Sequence, residues 1–330
     1  MIIVMPKRSS ELTRHLAGNF FFAGRTSRAL SVLVLTFAVL FSADAQSPST
    51  INQHMSLTLM PTSNKEKKSP FYNALNNALK KRKTSIEKIC SLEDPVGRRI
   101  LEEYGAIFVA GKKVKPPPVC IFESEAQVAA FQDDADYVTE VIGDVEVELQ
   151  AAAMKALMKA REKAAKEGLD ITPRGGSEAA RRNYEDSLRL WDTRFLPGLN
   201  HWTANGRLTG EEATRLRALP LNQQVAEVLE LEEEGIFFSK DLSKSILYSI
   251  AAPGTSQHIA MLAFDVAEFD NPRVREILAK HGWFQTVLSD LPHFTYLGLK
   301  EKDLPRQGLR SVEVAGQTFW IPNVARPSSS

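Results

Sequence analysis

The sequence predicts an α+β fold: a small antiparallel sheet flanked by helices, with a helical insertion. Three observations predict it. Apolar segments of strand length are few. They are mixed with longer segments of helical period and do not alternate with them in the strand–helix–strand rhythm of a parallel sheet. The composition is that of a globular chain, 330 residues with 43% hydrophobic and 25% charged, enough for one large domain or two ordinary ones.

Residues 1–45 read as a secretory signal. Arg25 and Arg28 precede an apolar run from Ala29 to Phe41, and Ala43-Asp44-Ala45 supplies small residues before a cut ahead of Gln46. The run is short for a helix that needs about 20 residues to span a bilayer. No membrane span is therefore expected after cleavage, and the chain is expected to be exported, periplasmic or extracellular; an uncleaved anchor is the alternative. Those 45 residues hold five basic and two acidic groups. The remainder has 36 basic and 38 acidic, a net of −2, so no global field attracts nucleic acid or anionic lipid.

Residues 46–95 read as a linker and N-terminal extension. Gln46 to about Pro70 is rich in Ser, Pro, Asn and Lys, the composition of a flexible tether. Lys80-Lys81-Arg82-Lys83 reads as a solvated helix face. An oxidising compartment permits Cys90 and Cys120 to pair, with two buried thiols as the alternative. Neither lies in a C-x-x-C pattern, so no cysteine zinc site is expected.

Residues 96–330 read as the folded domain. Ala106–Ala110 is expected as a short strand, closed by a turn at Gly111. Ser124 and Gln127 form a capping-box pattern opening a helix through Phe131. Val147–Lys166 is expected as the longest helix, with Ala151, Met154, Leu157, Met158 and Ala165 on one face and Gly168 at its end. A strand, Leu169–Thr172, and a turn, Pro173-Arg174-Gly175-Gly176, lead to a helix capped by Ser177 and running to about Trp191. Residues 195–245 read as the helical insertion, with one helix capped by Thr209 and Glu212 and another from Leu221 to Glu234, stopped by Gly235. Strands Ser245–Ile250 and Ala263–Val266, a helix Pro272–His281 and a last strand Phe294–Leu297 complete the expectation.

The chemistry concentrates near the end. Turn residues Pro253-Gly254-Thr255-Ser256 place His258 in a loop. Asp265 lies in the apolar string Leu262-Ala263-Phe264-Asp265-Val266, where a bare carboxylate is costly without a partner. His293 follows in Asp290-Leu291-Pro292-His293-Phe294-Thr295-Tyr296. Two imidazoles and one carboxylate suit a zinc ion with a fourth position left open.

The string Ser256-x-His258-x-x-Met261-x-Ala263-x-Asp265 resembles the S-x-H-x-x-G-x-A-x-D motif of the zinc peptidases grouped with lysostaphin, the D-Ala-D-Ala metallopeptidases and the hedgehog signalling domain. Asp290 to Tyr296 resembles the E-P-W-H-F-x-Y string of the D-alanyl-D-alanine carboxypeptidase branch. Gly168 to Ser177, after the helix from Val147, is similar to that branch's strand and S-G-Y-R-S turn. The resemblance covers roughly residues 145–300. It implies His258, Asp265 and His293 as zinc ligands, Asp290 as general base for a zinc-activated water, Arg174 as the group that pairs with a substrate's terminal carboxylate, and Ser256 beside the substrate, shaping the His258 loop. The implied function is hydrolysis of peptidoglycan stem peptide, as a D-Ala-D-Ala carboxypeptidase. A non-catalytic zinc-containing wall-binding scaffold is the alternative. Three departures stand out: Met261 replaces the motif glycine, Asp290 replaces a glutamate, and about 80 residues separate Arg174 from His258. Trp283, Phe294 and Tyr296 are expected as cleft wall or core, and His201 and His281 as structural.

Overall fold

Helices α1 (Pro70–Lys81), α2 (Ile86–Ile89) and α3 (Pro95–Tyr104) open the fold. The structure, a computed structural model, describes residues 69–324. The expected signal over 1–45 and the linker up to residue 68 lie outside the described residues. Among the described residues no helix is long and apolar enough to cross a membrane. Ser69 caps α1 and Asp94 caps α3, each with proline in the first turn, the arrangement that satisfies orphan amides and presets φ.

The architecture is α+β, with small antiparallel sheets flanked by helices. After α4 (Glu125–Asp134) come the hairpin β1 (Tyr137–Ile142) and β2 (Val145–Gln150), α5 (Ala151–Ala165), and the helical stretch α6 (Tyr184–Ala204), α7 (Gly210–Ala218) and α8 (Leu221–Glu233). β3 (Ala263–Asp265), α9 (Pro272–Lys280), β4 (Trp283–Phe284) and β5 (His293–Tyr296) form the site-bearing part, in which the sheet order is β3-β5-β4. A terminal hairpin, β6 (Leu309–Val314) and β7 (Gln317–Pro322), closes the chain.

Two apolar cores flank α3. The main one gathers Phe71 and Leu75 of α1, Leu157 of α5, Phe264 of β3 and Trp283 of β4. Residues 70–95 thus contribute directly to the main core. The second gathers Ile100 of α3 with Trp191, Phe195, Leu216, Val228 and Phe238 from the α6–α8 region. This second core gives the α6–α8 region a hydrophobic anchor of its own.

Several expected elements differ. Ala106–Ala110 is a 3-10 helix over Gly105–Val109. A short, fully buried apolar run cannot be told from a strand by periodicity, and here Arg82 donates to the carbonyls of Phe108 and Ala110 at 2.6 and 2.7 Å in place of a ladder partner. The helix expected from Val147 begins at Ala151. Val145, Val147 and Leu149 alternate with Glu146 and Glu148, and this period of two pairs them against β1. The longest helix is α6, with 21 residues against 15 for α5. Leu169–Thr172 forms no strand; the pairing there is a single bridge, Pro173 to Val266, because the Thr172 amide donates to the Glu268 carboxylate at 2.8 Å and not to a neighbouring strand. Ser177 opens only a 3-10 turn, and α6 is capped instead by the Asn183–Asp186 capping box and carries Pro197 within it. Ser245–Ile250 holds a 3-10 turn, Ile246–Tyr248. The strand expected at 294–297 is the central strand β5, and the later β6–β7 hairpin turns through Ala315 and Gly316, both at positive φ, as a two-residue hairpin loop requires. The α4, α7, α8, α9 and β3 expectations hold.

Cys90 and Cys120 are joined in a disulfide, their Cα atoms 5.4 Å apart and 30 positions apart in sequence. It ties the end of α2 to the segment leading into α4. Closing a loop of that length stabilises by about 3–4 kcal/mol in the chain-entropy account. The Cys90→Ala/Cys120→Ala variant should therefore lose about that much in urea unfolding, and reductant should lower the wild-type midpoint while leaving the variant unmoved.

Candidate metal centre

The centre is built on an antiparallel register. β3 and β5 pair Asp265 with His293, Phe264 with Phe294, and Ala263 with Thr295. Residues directly opposite point to the same face. Asp265, His293 and Thr295 therefore share one face, and Phe264 and Phe294 sit on the other, in the core.

His258 arrives from a 3-10 turn, Gln257–Ala260, capped by Ser256, whose Oγ accepts from the His258 amide at 3.4 Å. Ser256 thus shapes the loop, as expected. Two backbone features fix that loop. Gly254 has φ +74, and a Cβ there would lie 1.9 Å from the Phe122 carbonyl oxygen, so only glycine fits. Met261 ends the turn at φ 53, ψ 35, the left-handed geometry the motif glycine would adopt freely. The side chain costs roughly 1–2 kcal/mol in that conformation. It is also fully buried, and losing a buried methionine costs roughly 2–5 kcal/mol, so packing outweighs strain and explains how methionine is tolerated.

The three side chains meet. His258 Nε2 lies 3.3 Å from Asp265 Oδ1, His293 Nδ1 lies 3.4 Å from the same oxygen, and the two ring nitrogens are 3.0 Å apart. Donors about 2.0–2.1 Å from one tetrahedral ion stand about 3.3 Å from each other, so the set fits a single small cation. The group is able to hold a metal ion.

The surroundings prepare these atoms. Gln257 Nε2 donates to the Tyr104 carbonyl, which turns its Oε1 towards the site. That oxygen accepts from His293 Nε2 at 2.9 Å and from Thr295 Oγ1 at 2.5 Å. The proton of His293 is thereby held on Nε2, and Nδ1 presents its lone pair to the centre. Arg182 Nη2 donates to Asp265 Oδ2 at 2.8 Å, leaving Oδ1 for the histidines. His258 is less well served: its Nδ1 is buried and meets no partner among the described residues. An unmade hydrogen bond costs about 1–3 kcal/mol, small beside the roughly 10 kcal/mol or more a zinc site supplies.

Protonation follows burial. Burial lowers His258 to about 4, with Arg182 adding to the shift, so the ring is neutral and able to coordinate at pH 7. Burial alone would raise Asp265, but His258, then His293 and Arg182, hold its carboxyl well below the usual range. Asp290 keeps part of its surface open to the cleft, yet it is ringed by protein. Burial raises it to about 6, with Asp265 adding to the rise and His293, Arg182 and Arg174 opposing it.

Asp290 shares a small cavity with Arg182, His258 and His293, roofed by Leu247 and Ile250. Arg174 is exposed on the turn after the Pro173 bridge. Its amide donates to the Asp265 carbonyl at 2.8 Å, and its guanidinium lies 5.1 Å from the centre of the Phe269 ring. Trp283 and Phe294 are core, and Tyr296 is nearly so. His201 and His281 contact only their own helical turns. Arg182 and Gln257 escaped the sequence reading. Gln257 adjoins His258 and carried that much signal; Arg182 follows the Gly175-Gly176 turn by six positions, and nothing in its neighbours separates it from Arg181.

Zinc titration should therefore show one site per chain. Asp265→Ala and His293→Ala should abolish it, and Arg182→Met should weaken it about 10–100-fold by freeing the carboxylate. Unaltered affinity in Arg182→Met, measured by calorimetry, would contradict the positioning role. No known protein family, curated protein or solved structure matches the chain.

Proposed function

We propose that the chain is a zinc-dependent peptidase of the bacterial wall, a carboxypeptidase that removes a terminal D-alanine from peptidoglycan stem peptide. One observation carries the reading: His258, Asp265 and His293 converge on one point, and the two histidines line a cavity that also holds Asp290. The motif strings around them support it, and the signal-like residues 1–45 fit a wall substrate.

Zinc bound there supplies Lewis acidity, polarising a peptide carbonyl and lowering the pKa of a water. The protein's own groups handle protons and substrate. Asp290, raised to about 6, is mostly ionised at neutral pH yet basic enough to take a proton from water and return it to the leaving amine. Arg174 is exposed and in no ion pair among the described residues. Its planar fork matches a terminal carboxylate, whereas Arg182 is committed to Asp265.

A second reading has a specific observation behind it. The cavity over the site is about 30 Å³, against roughly 300–1,000 Å³ for ordinary ligand pockets. Entry of a peptide through this cavity would require it to widen. A site that stayed shut would be a zinc-stabilised scaffold.

Incubating zinc-loaded protein with stem peptides ending in D-Ala-D-Ala separates the readings. Mass spectrometry should detect released D-alanine. Asp290→Asn should keep its zinc and lose a factor of about 10²–10⁴ in rate. Wild-type rate should fall as pH drops through about 6, because a protonated Asp290 cannot accept. Arg174→Ala should raise KM for free-carboxylate substrates more than for amidated ones. A zinc-loaded wild type that releases nothing from any stem peptide would favour the scaffold.

A further inference from the structure

The basic run on α1 has a partner surface that the sequence does not reveal. A groove of about 950 Å³ lies between α1, the loop at Gly111–Val114 and the segment after β5. The α1 face towards it carries Ala74, Asn77 and Ala78 before Lys81, and these small side chains leave a trough. The far wall is fixed in place. The Gly111 amide donates to the Leu297 carbonyl at 2.8 Å, and a Cβ on Gly111 would sit 3.2 Å from the Gly298 carbonyl oxygen.

Among the described residues five cations line this groove, Lys81, Arg82, Lys112, Lys113 and Arg306, and no Asp or Glu does. Arg82 is committed to the Phe108 and Ala110 carbonyls. The other four are exposed and enter no ion pair among the described residues. Several other exposed arginines are paired, Arg189 with Glu178, Arg215 with Glu227 and Arg273 with Glu167. In a chain of net charge +1, four unpaired cations around one concavity repel one another and give the fold nothing in return. They do create a focused positive potential.

We propose that this groove binds a linear polyanion whose charges are phosphates joined without aromatic bases. Three features select that occupant. The surface is concave, which suits a chain and not a flat bilayer. Lysine supplies most of the free cations, point charges suited to repeated phosphates. Among the described residues the only aromatic lining it, Tyr296, is 8% exposed and offers bases no platform to stack on. β5 runs from His293 at the metal centre to Tyr296 at the groove, a span of about 10 Å. The proposal does not depend on the peptidase reading.

The test uses the full chain, zinc-loaded, with fluorescent long-chain inorganic polyphosphate as probe and anisotropy as readout. Binding should weaken with salt, with a log–log slope of roughly −3 for four cations. Lys112→Glu/Lys113→Glu should weaken binding by about tenfold or more, while the exposed α5 control Lys155→Glu/Lys159→Glu, with the same charge change, should alter it by less than about twofold. All four lysines are exposed, and unchanged zinc content and circular dichroism confirm folding. Equal losses in the two variants would overturn the proposal. So would salt-independent binding, or tighter binding of oligo-dT or phosphatidylglycerol vesicles than of polyphosphate. Turnover of a soluble stem peptide is not a readout here, so this result and the peptidase test fail separately.

Discussion

The pairing of Asp265 with His293 across β3 and β5 fixes the centre, and the other parts of the site are arranged around it. In an antiparallel ladder the side-chain period is two, so a slip of one residue would send His293 into the core and bring Phe294 to the site. Phe264 and Phe294, on the opposite face and both buried, prevent that slip, because their burial holds only in this register. The hydrophobic core and the ligand set are thus two faces of one constraint.

Gathering a carboxylate and two imidazoles at 1–16% exposure is costly unless each finds a partner. Arg182 satisfies one oxygen of Asp265, and Gln257 satisfies the outer nitrogen of His293. Both partners are anchored in turn, Arg182 through the Glu178 carbonyl and Gln257 through Tyr104. Tyr104 sits at the end of α3, between the two cores, and its hydroxyl donates to Leu247 in the segment roofing the cavity. The segment after α8 that roofs the cavity is therefore tied to the same residue that orients Gln257.

The candidate ligands were legible in the sequence because each stood out against its neighbours: a histidine after a Pro-Gly turn, an aspartate in an apolar strand, a histidine in an aromatic string. Helix α7 was legible for the same local reason, from its Thr209–Glu212 capping box, whereas the Asn183–Asp186 box that opens α6 was passed over for Ser177. The β1–β2 hairpin was not, because its second strand runs directly into an alanine-rich helix and the stronger helical pattern masked a period of two. Residues 106–110 and 246–248 were misread as strands, since buried apolar runs lack a period of their own. Arg182 was hidden because its role comes from a contact 83 positions away, and the basic groove because its cations come from three separate stretches of chain.

X-ray absorption on the zinc-loaded protein tests the central claim most directly. If zinc is the ion held there, its first shell should be two imidazole nitrogens and two oxygens at about 2.0–2.1 Å, one of them from Asp265, with no sulfur. Loss of one imidazole in His293→Ala should follow. A shell with a single imidazole in the wild type, or one unchanged by His293→Ala, would contradict the register on which the centre is built.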